Sequence, residues 1–296
     1  MVSIKSVPEK MPSGSSVSDG RCDGACDLSI VVLTMESLFS NIIVEALAKA
    51  LPGQIVGIVR STSWMGAKGP GELLALIRNR CGLLYTVLLI SQVTACMLAW
   101  AAARWLKRNP AVRSLEAIQA LYGIPVRDFE DVNNLEAVDW MEALNPNLII
   151  SVYLGQRIKK PVTDLPEFGV INFHPSLLPR HRGPFPIFST MAAGDEEAGV
   201  TVHWVDCGFD TGGVLLQERY AVEAGDTVLG LSHKSSRVGS RVLVEAVKLI
   251  AAGNPPRISQ NERLATYQSW PSPAEQRRFK QAGGKYGSLL ELWRYI

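Results

Sequence analysis

Apolar β-branched runs recur along this chain between stretches of helical periodicity, and that rhythm commits it to a parallel α/β sheet. "LSIVVLT", residues 28–34, is a run of the kind buried on both faces of such a sheet. Apolar residues then recur at helical spacing over 36–51, and "GQIVGIVR", 53–60, returns to a strand, which makes a βαβ unit. "SLEAIQALYG" and "IPVRDF" continue the alternation, followed by a helix around 134–144 and the strand "PNLIISVYL". After "GVINFH", 169–174, come a proline-rich loop, a short helix around 184–193, and two further strands, "AGVTVHWVD" and "VLLQERYAV". A long helix over 227–253 closes the unit at Gly253, with two prolines behind it. The expected class is α/β, with a mostly parallel sheet and helices on both faces.

The 296 residues, 47% hydrophobic and 20% charged, suffice for one large domain with appendages. The division expected is a flexible Ser/Gly/Pro-rich tail over 1–26, a catalytic domain over 27–256 and an extension over 257–296. A formal charge of +2 gives no mandate for nucleic-acid binding. Five cysteines without a repeated spacing (Cys22, Cys26, Cys81, Cys96 and Cys207) argue against a disulfide framework and suit a reducing cytoplasm. Cys22 and Cys26 have no second pair or nearby histidine, so no metal site is expected. The tail lacks the continuous apolar segment of a secretory signal. The dinucleotide and P-loop glycine patterns are missing.

Between Arg80 and Arg104 runs "CGLLYTVLLISQVTACMLAWAAA", uncharged and long enough to qualify as a transmembrane candidate. Strands on both sides of it belong to one expected sheet, and a true span would leave half of that sheet across the bilayer. A helical insertion over about 72–108, staying on one side, is expected instead. Its apolar surface is read as packed on the domain or on a second subunit. A membrane-interface contact, helped by the bracketing Arg78, Arg80, Arg104, Lys107 and Arg108, is the other reading.

In a strand, residues two apart share a face, so Asn172 and His174 project together while Ile171 and Phe173 face away. Pro175 helps to end the strand there. Ligands bind at the carboxyl ends of strands in an open parallel sheet, so the pair is a site candidate, against the alternative of a structural histidine. "VDCGFDTGG", 205–213, adds Asp210 in a turn whose glycines permit close approach of a ligand to the main chain. His203 is read as packing or facing solvent.

"NFHPSLLPRHRGPFPI" and "GVTVHWVDCGFDTGGVL" together resemble the folate-dependent formyltransferases, which include methionyl-tRNA formyltransferase, glycinamide ribonucleotide formyltransferase and the sugar N-formyltransferases. The resemblance covers about 27–256 and is strongest over 169–216. It implies a Rossmann-like fold, 10-formyltetrahydrofolate as formyl donor with tetrahydrofolate as product, and Asn172, His174 and Asp210 as the catalytic trio. In that reading Asn172 donates to the oxyanion. His174 transfers the proton or, charged, assists the oxyanion, and Asp210 orients His174 and relays the proton. The folate would meet Tyr153, Leu154, Gln156, Arg157 and Ile158, together with Val205, Cys207, Gly208 and Asp210. Four prolines between Pro175 and Pro186 stiffen the rim. Ser176, Leu177, Leu178, Arg180, Arg182 and Gly183 are the acceptor-side candidates, with Arg180, His181 and Arg182 able to meet a phosphate or to form a solvated basic loop.

Methionyl-tRNA formyltransferases resemble this core but carry a C-terminal barrel that the last forty residues are too short to form. The acceptor expected first is therefore the amine of a small molecule, such as an amino sugar carried on a nucleotide or lipid, with tRNA the runner-up. Formylfolate hydrolysis is a third enzyme reading. An inactive folate-binding or membrane-associated module is the reading from another class. Localisation is expected to be cytoplasmic, with membrane association or a homodimer through 81–103 as additions.

Overall fold

The computed structural model describes residues 28–64, 67–105 and 111–295. The expected tail, with Cys22 and Cys26, and the basic residues Lys107 and Arg108 lie outside them. In chain order the elements are β1 Ile30–Thr34, α1 Leu38–Ala50, β2 Ile55–Ser61, β3 Ser63–Trp64, β4 Ala67–Lys68, α2 Pro70–Cys81, α3 Leu83–Trp105, α4 Leu115–Tyr122, β5 Val126–Phe129 and α5 Leu135–Ala143. They continue with β6 Leu148–Val152, α6 Lys160–Thr163, β7 Val170–His174, α7 Pro186–Ala193, β8 Glu197–Trp204, β9 Val214–Ala221, α8 Val228–Ala251, a 3-10 turn Glu262–Leu264, α9 Pro273–Gln281 and α10 Leu289–Leu292.

Seven strands form the main sheet in the order β5-β2-β1-β6-β7-β8-β9. Pairings from β5 through β7 are parallel, and β8 and β9 add antiparallel to that edge. From β1 the chain builds outward through β2 to β5, then crosses back to lay β6 on the other side of β1. That reversal opens a crevice at the carboxyl ends of β1 and β6, where α/β sheets take their ligands.

Both faces of the sheet are covered, which is why its central strands read as continuous apolar runs. On one face Ile30, Val32, Ile150, Ile171 and Phe173 pack with α1 and α8. On the other, Val31, Leu33, Ile149 and Val170 pack with Ala137 and Met141 of α5. Helix α8 approaches β7 closely through Gly239, where an added Cβ would lie 2.1 Å from the Phe173 ring. Ser37 starts α1 with a capping box, its hydroxyl accepting from the Ser40 N–H while the Ser40 hydroxyl accepts from the Ser37 N–H.

The apolar run is one helix, α3, packed against α2. On its inner side Cys96 joins Leu38, Leu229 and Leu292, and Tyr85 meets Tyr286 and Phe185 edge-on with centroids 5.8 and 6.1 Å apart. Only 17% of the stretch Tyr85–Ala102 is buried, so of the covers expected for this helix, the domain, a second subunit or a membrane interface, the domain supplies one side. Residues after α8 fold back on the core. Phe279 and Tyr286 pack on Phe188 of α7, Leu292 reaches the α1 side, and the Gln276 amide donates to the Cys81 carbonyl at 2.7 Å.

Candidate active site

Period-two geometry places Asn172 and His174 on the same face of β7, and Pro175 follows where the strand ends. The antiparallel register sets His203 of β8 directly opposite Asn172. Asp210 reaches the same place from the turn between β8 and β9, with its own backbone in the left-handed region at φ 56°. That turn folds tightly over β8. An added Cβ at Gly212 would sit 1.7 Å from the Trp204 carbonyl oxygen, so only glycine fits there.

Hydrogen bonds fix the tautomers. The His174 Nε2 lies 2.9 Å from the His181 carbonyl oxygen, which only accepts, so Nε2 carries the proton and Nδ1 faces the Asp210 carboxylate at 3.5 Å. The His203 Nδ1 likewise donates to the Trp204 carbonyl at 2.9 Å, leaving Nε2 to accept from the Asn172 amide at 3.1 Å. His203 Nε2 also stands 3.7 Å from Asp210. The other Asp210 oxygen accepts from the Gly183 N–H at 2.9 Å. Asn172 is thus held with its NH2 group in place and one amide proton left for a ligand.

Burial lowers the pKa of His174, against the Asp210 charge and the His181 carbonyl, which both favour the imidazolium. For Asp210, burial works upward, but the electrostatic pull of His174 and of His203 and the bond from the Gly183 N–H outweigh it and hold the carboxyl well below the ordinary carboxylate range. The resting state at neutral pH is therefore an ionised Asp210 beside a neutral His174 with a lone pair on Nδ1.

A cavity of about 700 Å³ opens over these groups, within the range of small-molecule sites. Its lining includes Asn172, His174 and Asp210, the folate-side candidates Tyr153, Leu154, Gln156, Arg157, Ile158, Val205 and Gly208, and Gly183 on the acceptor side. Within that lining the Gln156 amide is tied to the Ser61 and Ser63 hydroxyls and the Glu130 carbonyl, so its side chain braces the wall. Arg157 donates to the Cys207 carbonyl and lies over the Phe209 ring at 5.3 Å.

Seven of the residues singled out in the sequence do not line the cavity, among them His181, which meets Asp195 at 2.7 Å. The Cys207 side chain is exposed. Ser176 and Leu178 are buried and fasten the loop to β8 through Thr201, while Leu177 packs against Gly199. Arg180 pairs with Asp195 at 2.6 Å, and the buried Arg182 is held by Glu262 at 2.7 Å and by Gln260. The Arg182 fork is taken up by Glu262 and Gln260, while half-exposed Arg180 meets Asp195 through one nitrogen.

Other residues come to the cavity without having been expected there. His203, read as packing or facing solvent, does pack: it is 2% exposed, hydrogen-bonded to Asn172 and near Asp210. Met35 and Ser37 follow β1, Glu130, Asp131 and Asn133 follow β5, and Tyr267 arrives from beyond α8. Position just past a strand's carboxyl end was the signal available for all of these but His203 and Tyr267.

A formyl transferase family model matches residues 101–247. The methionyl-tRNA formyltransferase of Methylacidiphilum infernorum is 38% identical over 138 residues, covering 47% of this chain and 43% of the relative. The chain spans about half the length, or less, of the curated relatives it matches. Among solved structures, an N-formyltransferase from Helicobacter canadensis, in complex with folinic acid and dTDP-3-aminofucose, is similar with a TM-score of 0.53 at 16% identity, over 82% of this chain and 71% of that one. A phosphoribosylglycinamide formyltransferase from Anaplasma phagocytophilum gives a TM-score of 0.53 at 22% identity, over 82% and 99%. At these identities the structural likeness is one of fold. Motif, family model and fold agree in likening the chain to the formyl transferases.

Proposed function

We propose that the protein transfers a formyl group from 10-formyltetrahydrofolate to a primary amine, with Asn172, His174 and Asp210 as the catalytic groups. The observation that carries this reading is their convergence from two chain segments on one cavity. An amine attacking a formyl carbon builds negative charge on the formyl oxygen and sheds a proton, and collapse then breaks the bond to the folate nitrogen, which leaves with a proton. The free Asn172 amide proton suits the first, and the His174 Nδ1 lone pair suits the second. Asp210 would stabilise the imidazolium that forms, and His203, by accepting from Asn172, would orient the amide. The wall at 153–158 has neither helix nor strand pairing, which fits main-chain hydrogen bonding to a pterin.

For the acceptor we favour a small amine, such as an amino sugar carried on a nucleotide or lipid. Tyr267 and Phe209, 58% and 57% exposed, line the cavity as aromatic surfaces of the kind that hold a sugar ring or a base. Methionyl-tRNA is the second reading, favoured by the names of the sequence relatives. Charged initiator tRNA and a panel of nucleotide- and lipid-linked amino sugars, offered with the same formyl donor, separate the two. Formylation of an amino sugar supports the first reading, and formylation of tRNA alone overturns it.

A further inference from the structure

Helix α3 is apolar on both sides, yet only one is covered. Its outward stripe runs through Leu83, Val87, Ile90, Met97 and Trp105, each more than 40% exposed, at spacings that fall on one helical face. No charged residue lies between Leu83 and Ala103. The helix has 23 residues and is therefore about 34 Å long. An uncharged stripe of that length exceeds the apolar patches that water-exposed surfaces ordinarily carry.

Beside the stripe, between α1, α3 and α4, lies a groove of about 1220 Å³. Leu38, Phe39, Val93, Met97, Trp100 and Leu121 make up much of its lining, with Glu36, Arg113 and Glu116 also on its wall. Val93, Met97 and Leu121 are themselves more than half exposed, so groove and stripe open to the same side. Ser37 lines both this groove and the catalytic cavity, which sets the inner end of the groove next to the site.

What frames the stripe decides between a membrane and a second copy of the chain. Arg78 and Arg80 are exposed on the last turn of α2, at the amino end of α3. A second copy of the stripe offers no acidic side chain to meet them, whereas anionic lipid headgroups do. Trp105 and Trp293, 82% and 59% exposed, add amphipathic rings of the type concentrated at bilayer interfaces. Strand β2 precedes the insertion and β5 follows it, and the two are paired, so both ends of the insertion return to one sheet. That geometry suits a helix lying in the interface rather than crossing it.

We propose that the outer face of α3 docks flat on an anionic lipid bilayer and that one lipid acyl chain enters the groove between α1, α3 and α4. The docking stands independently of the formyl-transfer reading. Where both hold, it presents the cavity to a lipid-borne amine.

The test is sedimentation of the full chain with phosphatidylcholine vesicles, with and without phosphatidylglycerol, together with its mass in lipid-free solution. Binding to the anionic vesicles is expected, and Arg78→Gln and Arg80→Gln should each weaken it about fivefold. Val87→Glu with Met97→Glu, at exposed positions that leave circular dichroism and thermal midpoint unchanged, should weaken it about tenfold or more. Phosphatidylglycerol brominated in its acyl chains should quench tryptophan emission, and Trp100→Phe should remove part of that quenching. Failure to bind either vesicle, or unchanged binding by the double glutamate variant, overturns the docking. A dimer in solution that the same double variant returns to monomer also overturns it, and assigns the face to a second copy. Quenching that is the same with and without Trp100 overturns the acyl-chain site.

Discussion

At the scale of single residues the site is an arrangement of protons. Nuclear magnetic resonance titration of His174 should find it protonating below the ordinary histidine value of 6.5, because burial opposes its charge. In Asp210→Asn the midpoint should fall further, since the carboxylate that favours the imidazolium is gone. A midpoint that rose would contradict the assignment. The sign for stability follows from the same direction. The unfolded chain takes this proton first as pH falls below 6.5, so stability declines with acidification until the lower folded value is reached. His174→Asn should flatten that decline in urea titrations. The same-face placement of Asn172 and His174 was legible from their spacing alone. His203 was not, because which residue stands opposite Asn172 depends on an antiparallel register between β7 and β8 that no local pattern announces. The partners of Arg182, Gln260 and Glu262, were not legible because they lie about eighty residues along the chain.

At the scale of elements, the alternation of buried runs and helical spacing was enough to place β1, α1, β2, β6, β7 and α8, since a strand covered on both faces must be apolar throughout. Partial exposure of α3 was invisible to that logic: an apolar helix reads the same whether the domain covers one side of it or all of it. The contact between α8 and β7 supplies a prediction. Gly239→Ala gains about 1 kcal/mol of helix propensity, but its new methyl group would stand 2.1 Å from Phe173. Overpacking of this kind costs about 1–3 kcal/mol, so the net effect should be a lower urea midpoint. Gly225→Ala, where the space is open, should leave it nearly unchanged. Equal midpoints for both variants would contradict the packing of α8 on β7.

At the scale of the molecule, the sheet sets the polar groups at its carboxyl edge and the residues after α8 close around them. Tyr267 and the clasp of Gln260 and Glu262 on Arg182 illustrate why this part was not legible: loop residues carry no periodicity, and only the folded chain shows what they touch. Phe279→Ala, which empties an aromatic cluster on Phe188 and Tyr286, should cost about 3 kcal/mol or more and lower the thermal midpoint. The central claim is that an amide, an imidazole and a carboxylate surround one reacting carbonyl. Its most direct test is the rate of formyl transfer from 10-formyltetrahydrofolate to an accepted amine by the unaltered protein and by His174→Ala, with folate affinity measured alongside. A fall of at least about a hundredfold with folate binding retained is the predicted result. Undiminished turnover by a well-folded His174→Ala would contradict it.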